Sequence, residues 1–256
     1  MNELHGHVAL ISGGAGGIGA SIARLFAAEG AAVALLDRTR APLETIAAEL
    51  RSRGARISIH EADITREGEV AAAMADVVRA HGRLTVLVNA AGLLRKGRVD
   101  EMSEADFDAL MNVNVKGVWL VTKHAVPHLR QNGGRAAIVN LASVSAYIGS
   151  EVGFAYTVSK GAIASFTHSI AQGLAADGIR VNAVAPAYVD AGFTHQSLKA
   201  SPDQAAYRAR ANSLHLLGRM GRPEEIAQAA MFLASARASF VTGTVMTVDG
   251  GFMVKR

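Results

Sequence analysis

Residues 12–19 read Ser-Gly-Gly-Ala-Gly-Gly-Ile-Gly, and their neighbours decide the fold. On one side stands a short apolar run, His7 to Ser12; on the other Ile18, Ile22, Leu25 and Phe26 recur at helical spacing. A strand therefore runs into a glycine turn and directly on into a helix. Glycines in such a turn admit positive φ and a close approach to the backbone. The free N–H groups of the helix start offer donors and partial positive charge to a phosphate. Two spacings fit: Gly14, Gly16 and Gly19 match G-x-G-x-x-G, while Gly13, Gly17 and Gly19 match G-x-x-x-G-x-G. By itself such a string is equally a plain structural turn; between a strand and a helix it reads as a dinucleotide cradle formed by Ser12, Gly13, Gly16, Gly17, Ile18 and Gly19.

Working outward, further runs rich in Val, Ile and Leu span 32–37, 56–61, 84–89, 136–141, 180–185 and 244–248, making seven candidate strands. Between them lie Ala-rich stretches of helical period, such as Leu43, Ile46, Ala47 and Leu50. Strands apolar on both faces that alternate with helices imply a mainly parallel sheet covered on each side. A closed barrel of this kind needs eight units, whereas about six helices fall between the seven strands. The expected fold is α/β, a doubly wound seven-stranded sheet of Rossmann type, in one domain over residues 1–256. Ser103 before Glu104 and Asp106, and Pro223 before Glu224 and Glu225, mark two helix starts. Residues 190–221 fit no strand and are expected to form one or two short helices that cover a substrate.

The 256 residues are 50% hydrophobic and 19% charged, too apolar for disorder. No apolar run reaches the roughly 18 residues of a membrane span. The absence of cysteine excludes disulfides, thiolate metal sites and thiol nucleophiles together. The first residues, MNELHGHVAL, lack the pattern of a secretory signal, so a cytoplasmic location is expected. The net charge of +4 is scattered, with Arg51, Arg53 and Arg56 and the pair Arg208 and Arg210 densest, which argues against nucleic acid as a partner.

The second strand ends in Asp37, 18 positions beyond Gly19. A carboxylate there accepts from ribose hydroxyls and repels a 2′-phosphate, which favours NAD over NADP. Arg38 and Arg40 beside it could instead neutralise the acid or hold that phosphate. Further on, Tyr156 and Lys160 stand four apart within a helical pattern and so share a face. A free phenol titrates near 10, so proton transfer near neutrality asks for a fall of about three, worth about 4 kcal/mol. Nearby positive charge can provide it.

Taken together these features resemble the short-chain dehydrogenase/reductase family, over nearly the whole chain. SGGAGGIG is similar to the family's cofactor turn, with Ser12 where Thr is usual, and VNAAG (88–92) to its Asn-Asn-Ala-Gly signature, with Ala90 for the second Asn. The resemblance implies that Asp63 and Ile64 meet the adenine edge and that Asn89, Ala90 and Gly92 line the adenosine ribose. It implies a catalytic set of Asn114, Ser143, Tyr156 and Lys160. Ser143 would polarise the substrate oxygen, Tyr156 would act as general acid/base, Lys160 would bind the nicotinamide ribose and lower the phenol's pKa, and Asn114 would hold a relay water. The stretch 180–193 is similar to the segment that closes over the nicotinamide, where Pro186 and the Val189 backbone would bind the cofactor. Ala187 replaces a usual Gly there and Ala191 a Thr. The expected activity is NAD-dependent interconversion of a secondary alcohol and a ketone by a homotetramer. The alternative is a protein of the same fold that binds NAD(H) as a sensor or scaffold without turnover.

Other groupings carry less. His124 and His128 lie four apart but lack an acid in sequence, so no metal is expected. His195 falls in the expected cover and reads as an exposed histidine, and Glu151 as a loop acid near the substrate. Met220, Met231 and Met246 read as core or interface fillers.

Overall fold

The computed structural model describes residues 2–255. Seven strands, β1 Val8–Ser12, β2 Ala32–Asp37, β3 Ile57–Glu61, β4 Val86–Asn89, β5 Ala136–Leu141, β6 Ile179–Pro186 and β7 Val245–Val248, form one sheet in the order β3-β2-β1-β4-β5-β6-β7. Every pairing is parallel. The winding reverses between β1 and β4, whose ends Ser12 and Asn89 are paired, and a crevice opens at such a reversal beyond the carboxyl ends of the strands.

Helices α1 Gly17–Ala28, α2 Arg40–Ser52 and α9 Pro223–Ala234 cover one face; α3 Glu67–His81, α5 Val118–Leu129 and α6 Phe154–Leu174 cover the other. Alternation along the strands makes this possible: Val33, Leu35, Val86 and Val88 enter one core, while Ala34, Leu36 and Leu87 enter the other. Edge strand β7 is only half-buried and Thr247 on it is exposed. The two helix starts marked in the sequence are capped as expected: the Ser103 hydroxyl accepts from the Asp106 N–H, and the Glu225 carboxylate accepts from the Arg222 N–H at 2.8 Å.

The helices are more numerous than the period suggests, because two crossovers are subdivided. Between β6 and β7 the expected cover contains two short helices, α7 Gly192–Lys199 and α8 Gln204–Ser213, ahead of α9. Between β4 and β5, α4 Glu104–Met111 runs into α5 through a π-helical stretch, Asn112–Gly117. Gly117 at its end lies against Ile64, whose Cδ1 a Cβ would meet at 2.6 Å.

A polar ladder crosses the core below the crevice. Asn89 Nδ2 donates to Asn140 Oδ1 at 2.9 Å and to Thr122 Oγ1 at 3.1 Å, and Asn140 Nδ2 donates to Thr167 Oγ1 at 3.0 Å. These bonds tie β4 and β5 to α5 and α6, with all four residues buried. Among the described residues no helix is long and apolar enough to cross a membrane.

Candidate active site

The glycine turn decides between the two spacings. A Cβ on Gly13 would stand 2.5 Å from the Ala91 nitrogen, on Gly17 2.7 Å from the Ala191 Cβ, and on Gly19 2.2 Å from the Gly13 carbonyl oxygen. At Gly14 and Gly16 the nearest approaches are 3.1 and 3.2 Å, tight but not prohibitive. Gly13, with φ +69°, and Gly17 and Gly19 are thus the obligatory set, the G-x-x-x-G-x-G reading. Gly16 is the N-cap of α1, so the N–H groups of Gly17, Ile18 and Gly19 open the helix without intrahelical partners. Ser12 Oγ is buried and has no hydrogen-bond partner among the described residues. An orphaned hydroxyl and free helix-start donors around a turn that excludes side chains fit a dinucleotide's pyrophosphate.

Asp37 reaches back across this turn: its carboxylate accepts from the Ala15 N–H at 3.2 Å and from the Arg38 N–H at 2.8 Å. Asp63 Oδ1 accepts from the N–H and the hydroxyl of Thr65, at 2.9 and 2.7 Å. Although burial opposes it, these bonds hold the Asp63 carboxyl below its usual range.

Two residues the resemblance places beside the adenosine turn their side chains elsewhere. Asn89 is 1% exposed and committed to the core ladder, with its Oδ1 unpartnered, and Ile64 is 6% exposed and packed against Gly117. Only their main chains are left for a ligand, because the strand register turns Asn89 inward and the missing Cβ of Gly117 admits Ile64 to the core. Ala90 and Gly92 follow β4 at the crevice, with the Ala90 N–H donating to the Ser12 carbonyl.

The four expected catalytic residues come together at the carboxyl edge. Ser143 follows β5; its hydroxyl donates to the Pro186 carbonyl at 3.3 Å and accepts from the Ser145 N–H. Tyr156 and Lys160 lie one turn apart on α6, with Lys160 Nζ 5.5 Å from the Tyr156 ring centre and donating to the Leu141 carbonyl at 2.6 Å. Burial pushes the phenol up to about 12 and the ammonium down to about 8, each toward its neutral form. Lys160 by itself therefore does not lower the phenol. The ammonium sits over the ring and is bonded to a main-chain carbonyl, so desolvation outweighs its attraction for phenolate.

Asn114 occupies the π-helical stretch. Its Oδ1 accepts from the Leu93 N–H at 2.7 Å, and its Nδ2 donates to the Leu93 carbonyl at 2.9 Å and to Ser159 Oγ at 3.0 Å. Ser159 in turn donates to the Tyr156 carbonyl at 2.8 Å. The amide therefore clamps the loop after β4 to the catalytic helix, and its side chain is spent on protein partners rather than on a water. Sequence reading missed Ser159; its place three residues after Tyr156, within reach of that carbonyl on a helix, is the only signal for it.

The 190–221 segment lies over this crevice. Ala191 meets Gly17, and the Phe193 ring packs edge-on against Tyr156 with centres 6.1 Å apart. Val189 is bridged to Gly221 through the Asp190 N–H to the Gly221 carbonyl and the Gly221 N–H to the Tyr188 carbonyl, at 2.8 and 2.9 Å. Asp190 accepts from His195 Nε2 at 2.9 Å and from Arg208 at 3.0 Å, which ties α7 and α8 to the end of β6. His195 thus serves the cover's own fastening. Glu151 is ion-paired with Arg98, and Gly97 pairs with Gly153, which closes the rim between the β4 and β5 loops. His124 is bonded to Glu67 at 3.2 Å, and the described residues contain no group of three metal-ligating side chains.

Comparison with known proteins gives the same outline. The family model described as enoyl-(acyl carrier protein) reductase matches residues 13–253. The 3-oxoacyl-[acyl-carrier-protein] reductase FabG of Thermotoga maritima is 38% identical over 98% of this chain and 100% of its own length. The 2-(S)-hydroxypropyl-CoM dehydrogenase 3 of Xanthobacter autotrophicus is also 38% identical, over 98% of both chains. Among solved structures, the ligand-free aldohexose dehydrogenase of Thermoplasma acidophilum superposes with a TM-score of 0.91 at 32% identity, over 100% of this chain and 97% of that one.

Proposed function

Because the chain belongs to the short-chain dehydrogenase/reductase family, and is therefore an oxidoreductase of Rossmann type, we propose that it interconverts a secondary alcohol and a ketone with NAD. The observation that carries this reading is the gathering of Ser143, Tyr156 and Lys160 at the carboxyl edge of the sheet, with the Lys160 ammonium 5.5 Å from the Tyr156 ring centre and the glycine turn across the crevice. The bound nicotinamide supplies the hydride or takes it up. Free N–H groups of 17–19 and the Ser12 hydroxyl hold the pyrophosphate. Asp37 takes the adenosine ribose, the free oxygen of Asp63 the adenine edge, and the main chains of Asn89, Ala90 and Gly92 the near wall. Pro186 and the Val189 backbone meet the carboxamide.

Near neutral pH the phenol is protonated and the ammonium charged. In that state Tyr156 gives its proton to a carbonyl oxygen already bonded to Ser143, and so stabilises the forming alkoxide. Lys160, held by Leu141 in the free chain, is one helical turn away and compensates the phenolate left behind. Asn114 orients α6 through Ser159, and its main chain in the widened helical turn is the group that holds a relay water.

A panel of secondary alcohols and ketones, followed by the absorbance of reduced nicotinamide with NAD(H) and NADP(H) at neutral and alkaline pH, tests the reading. Tyr156→Phe is expected to lower turnover by about 10²–10⁴ while cofactor binding persists. A fully active Tyr156→Phe protein overturns it.

Two surfaces support a homotetramer. Half-exposed β7 leaves an open sheet edge, and Met111, Val115, Trp119 and Phe166 line a largely apolar groove between the α4–α5 crossover and α6.

A further inference from the structure

At the opposite edge of the sheet, the segments that lead into β1, β2, β3 and β4 frame an open cavity of about 460 Å³, with Arg56 and Arg83 exposed at its rim. Small residues at and beside the α1–β2 and α2–β3 turns, Ala27, Gly30, Ala31, Ala32, Gly54 and Ala55, form half of its lining, and the ionisable side chains that line it are His7, Arg56, His81 and Arg83. No carboxylate lines it.

Its basic groups are only partly used by the protein. Arg56 donates one N–H to the Ala80 carbonyl at 2.6 Å and Arg83 one to the Gly6 carbonyl, which caps main-chain ends in the usual way. A guanidinium has five donors, so most of theirs are unspent. Neither arginine has an ion-pair partner among the described residues. His81 is 8% exposed, yet its Nδ1 has no partner. Its Nε2 is 2.7 Å from Ser58 Oγ, which is equally close to His60 Nε2. His7 Nδ1 is 3.1 Å from Thr85 Oγ1 and feels Arg83, Arg135 and Arg180. The acids in the surrounding segments are engaged elsewhere: Glu3 with Arg237, Glu29 with the Glu3 N–H, and Asp76 with Arg79. The edge where strands begin is thus a pocketed excess of positive charge.

We propose that this cavity is a second binding site, for a compact polyanion with several oxygen acceptors, held by Arg56 and Arg83 and capped by the His7 and His81 imidazoles. Phosphate and carboxylate oxygens satisfy the same donors, and guanidinium forks suit both.

Proton linkage gives the site a signature. Burial and the surrounding arginines hold His7 below its ordinary value, and burial and Arg56 do the same for His81. A bound polyanion favours both imidazolium forms, so binding takes up protons and affinity rises as pH falls. The arginines stay charged throughout.

Calorimetric titration of the full chain with inorganic pyrophosphate, with saturating NADH present to occupy the glycine turn, tests the proposal; parallel titration with citrate separates a phosphate from a carboxylate preference. One binding event is expected in the presence of NADH, tighter at pH 6 than at pH 8, and weakened about tenfold or more in Arg56→Gln/Arg83→Gln. Ala55→Glu, which puts a carboxylate in the wall, is expected to abolish it, and it serves if the double variant folds poorly. Failure of both anions to bind wild type under these conditions, or an affinity indifferent to the substitutions or to pH, overturns the site. Alcohol oxidation by the variants stays at the wild-type level, so loss of this site and failure of the catalytic reading are separate results.

Discussion

Tyr156 and Lys160 sit in one buried environment that pushes each toward neutrality, which for the phenol means holding its proton and for the amine means losing it more readily. On the reading proposed above, this favours Tyr156 as the proton donor. Asp37 presents the second chemical choice. Its carboxylate spans the first turn of the cradle, so Asp37→Ala is expected to raise kcat/KM for NADPH relative to NADH by about tenfold, as read from paired steady-state rates. A wild-type preference for NADPH would overturn that assignment. Ser143, Tyr156 and Lys160 were named through the resemblance, and the structure brings them to one edge of the sheet; the choice between the two glycine spacings was not legible, because it turns on close backbone approach that only the folded turn shows. The directions of Asn89 and Ile64 were not legible. A strand residue faces one side or the other by register, and Ile64 enters the core only because Gly117, more than fifty positions away, leaves room.

At the scale of elements, seven strands and the main crossover helices followed from the alternation of period, with strand ends within two residues of those expected. The π-helical stretch had no signal, since widening a turn by one residue leaves hydrophobic spacing nearly unchanged. The cover was legible as an excursion without a strand, but its fastening was not: Asp190 joins His195 and Arg208 from two helices, and sequence alone does not bring these together. All three side chains are 40–47% exposed, so solvent screens both pairs and each contributes little to stability. Arg208→Ala is therefore expected to raise KM for the alcohol about two- to fivefold with kcat nearly unchanged, because the cover is loosened and not the chemistry. Steady-state kinetics beside a thermal melt that scarcely moves would establish this. A fall in kcat with KM unchanged would place Arg208 elsewhere in the mechanism.

For the whole molecule, the reversal of winding between β1 and β4 puts the proposed reaction site at one edge of the sheet, while Arg56 and Arg83, without ion-pair partners among the described residues, gather at the other. Trp119, 46% exposed beside Phe166 and Met111, marks the face on which assembly is expected to depend. Trp119→Glu should shift the mass seen by light scattering from tetramer to a smaller species, with the far-ultraviolet spectrum retained; an unchanged mass would remove this face from the interface. The Asn112–Gly117 stretch bears on how such a chain varies over generations. Surface loops accept insertions and deletions readily, but here one residue less would wind the crossover into an ordinary helix and swing the Asn114 amide away from Leu93 and Ser159. A one-residue deletion between Met111 and Val118 is therefore expected to cost more than one in a loop at the rim.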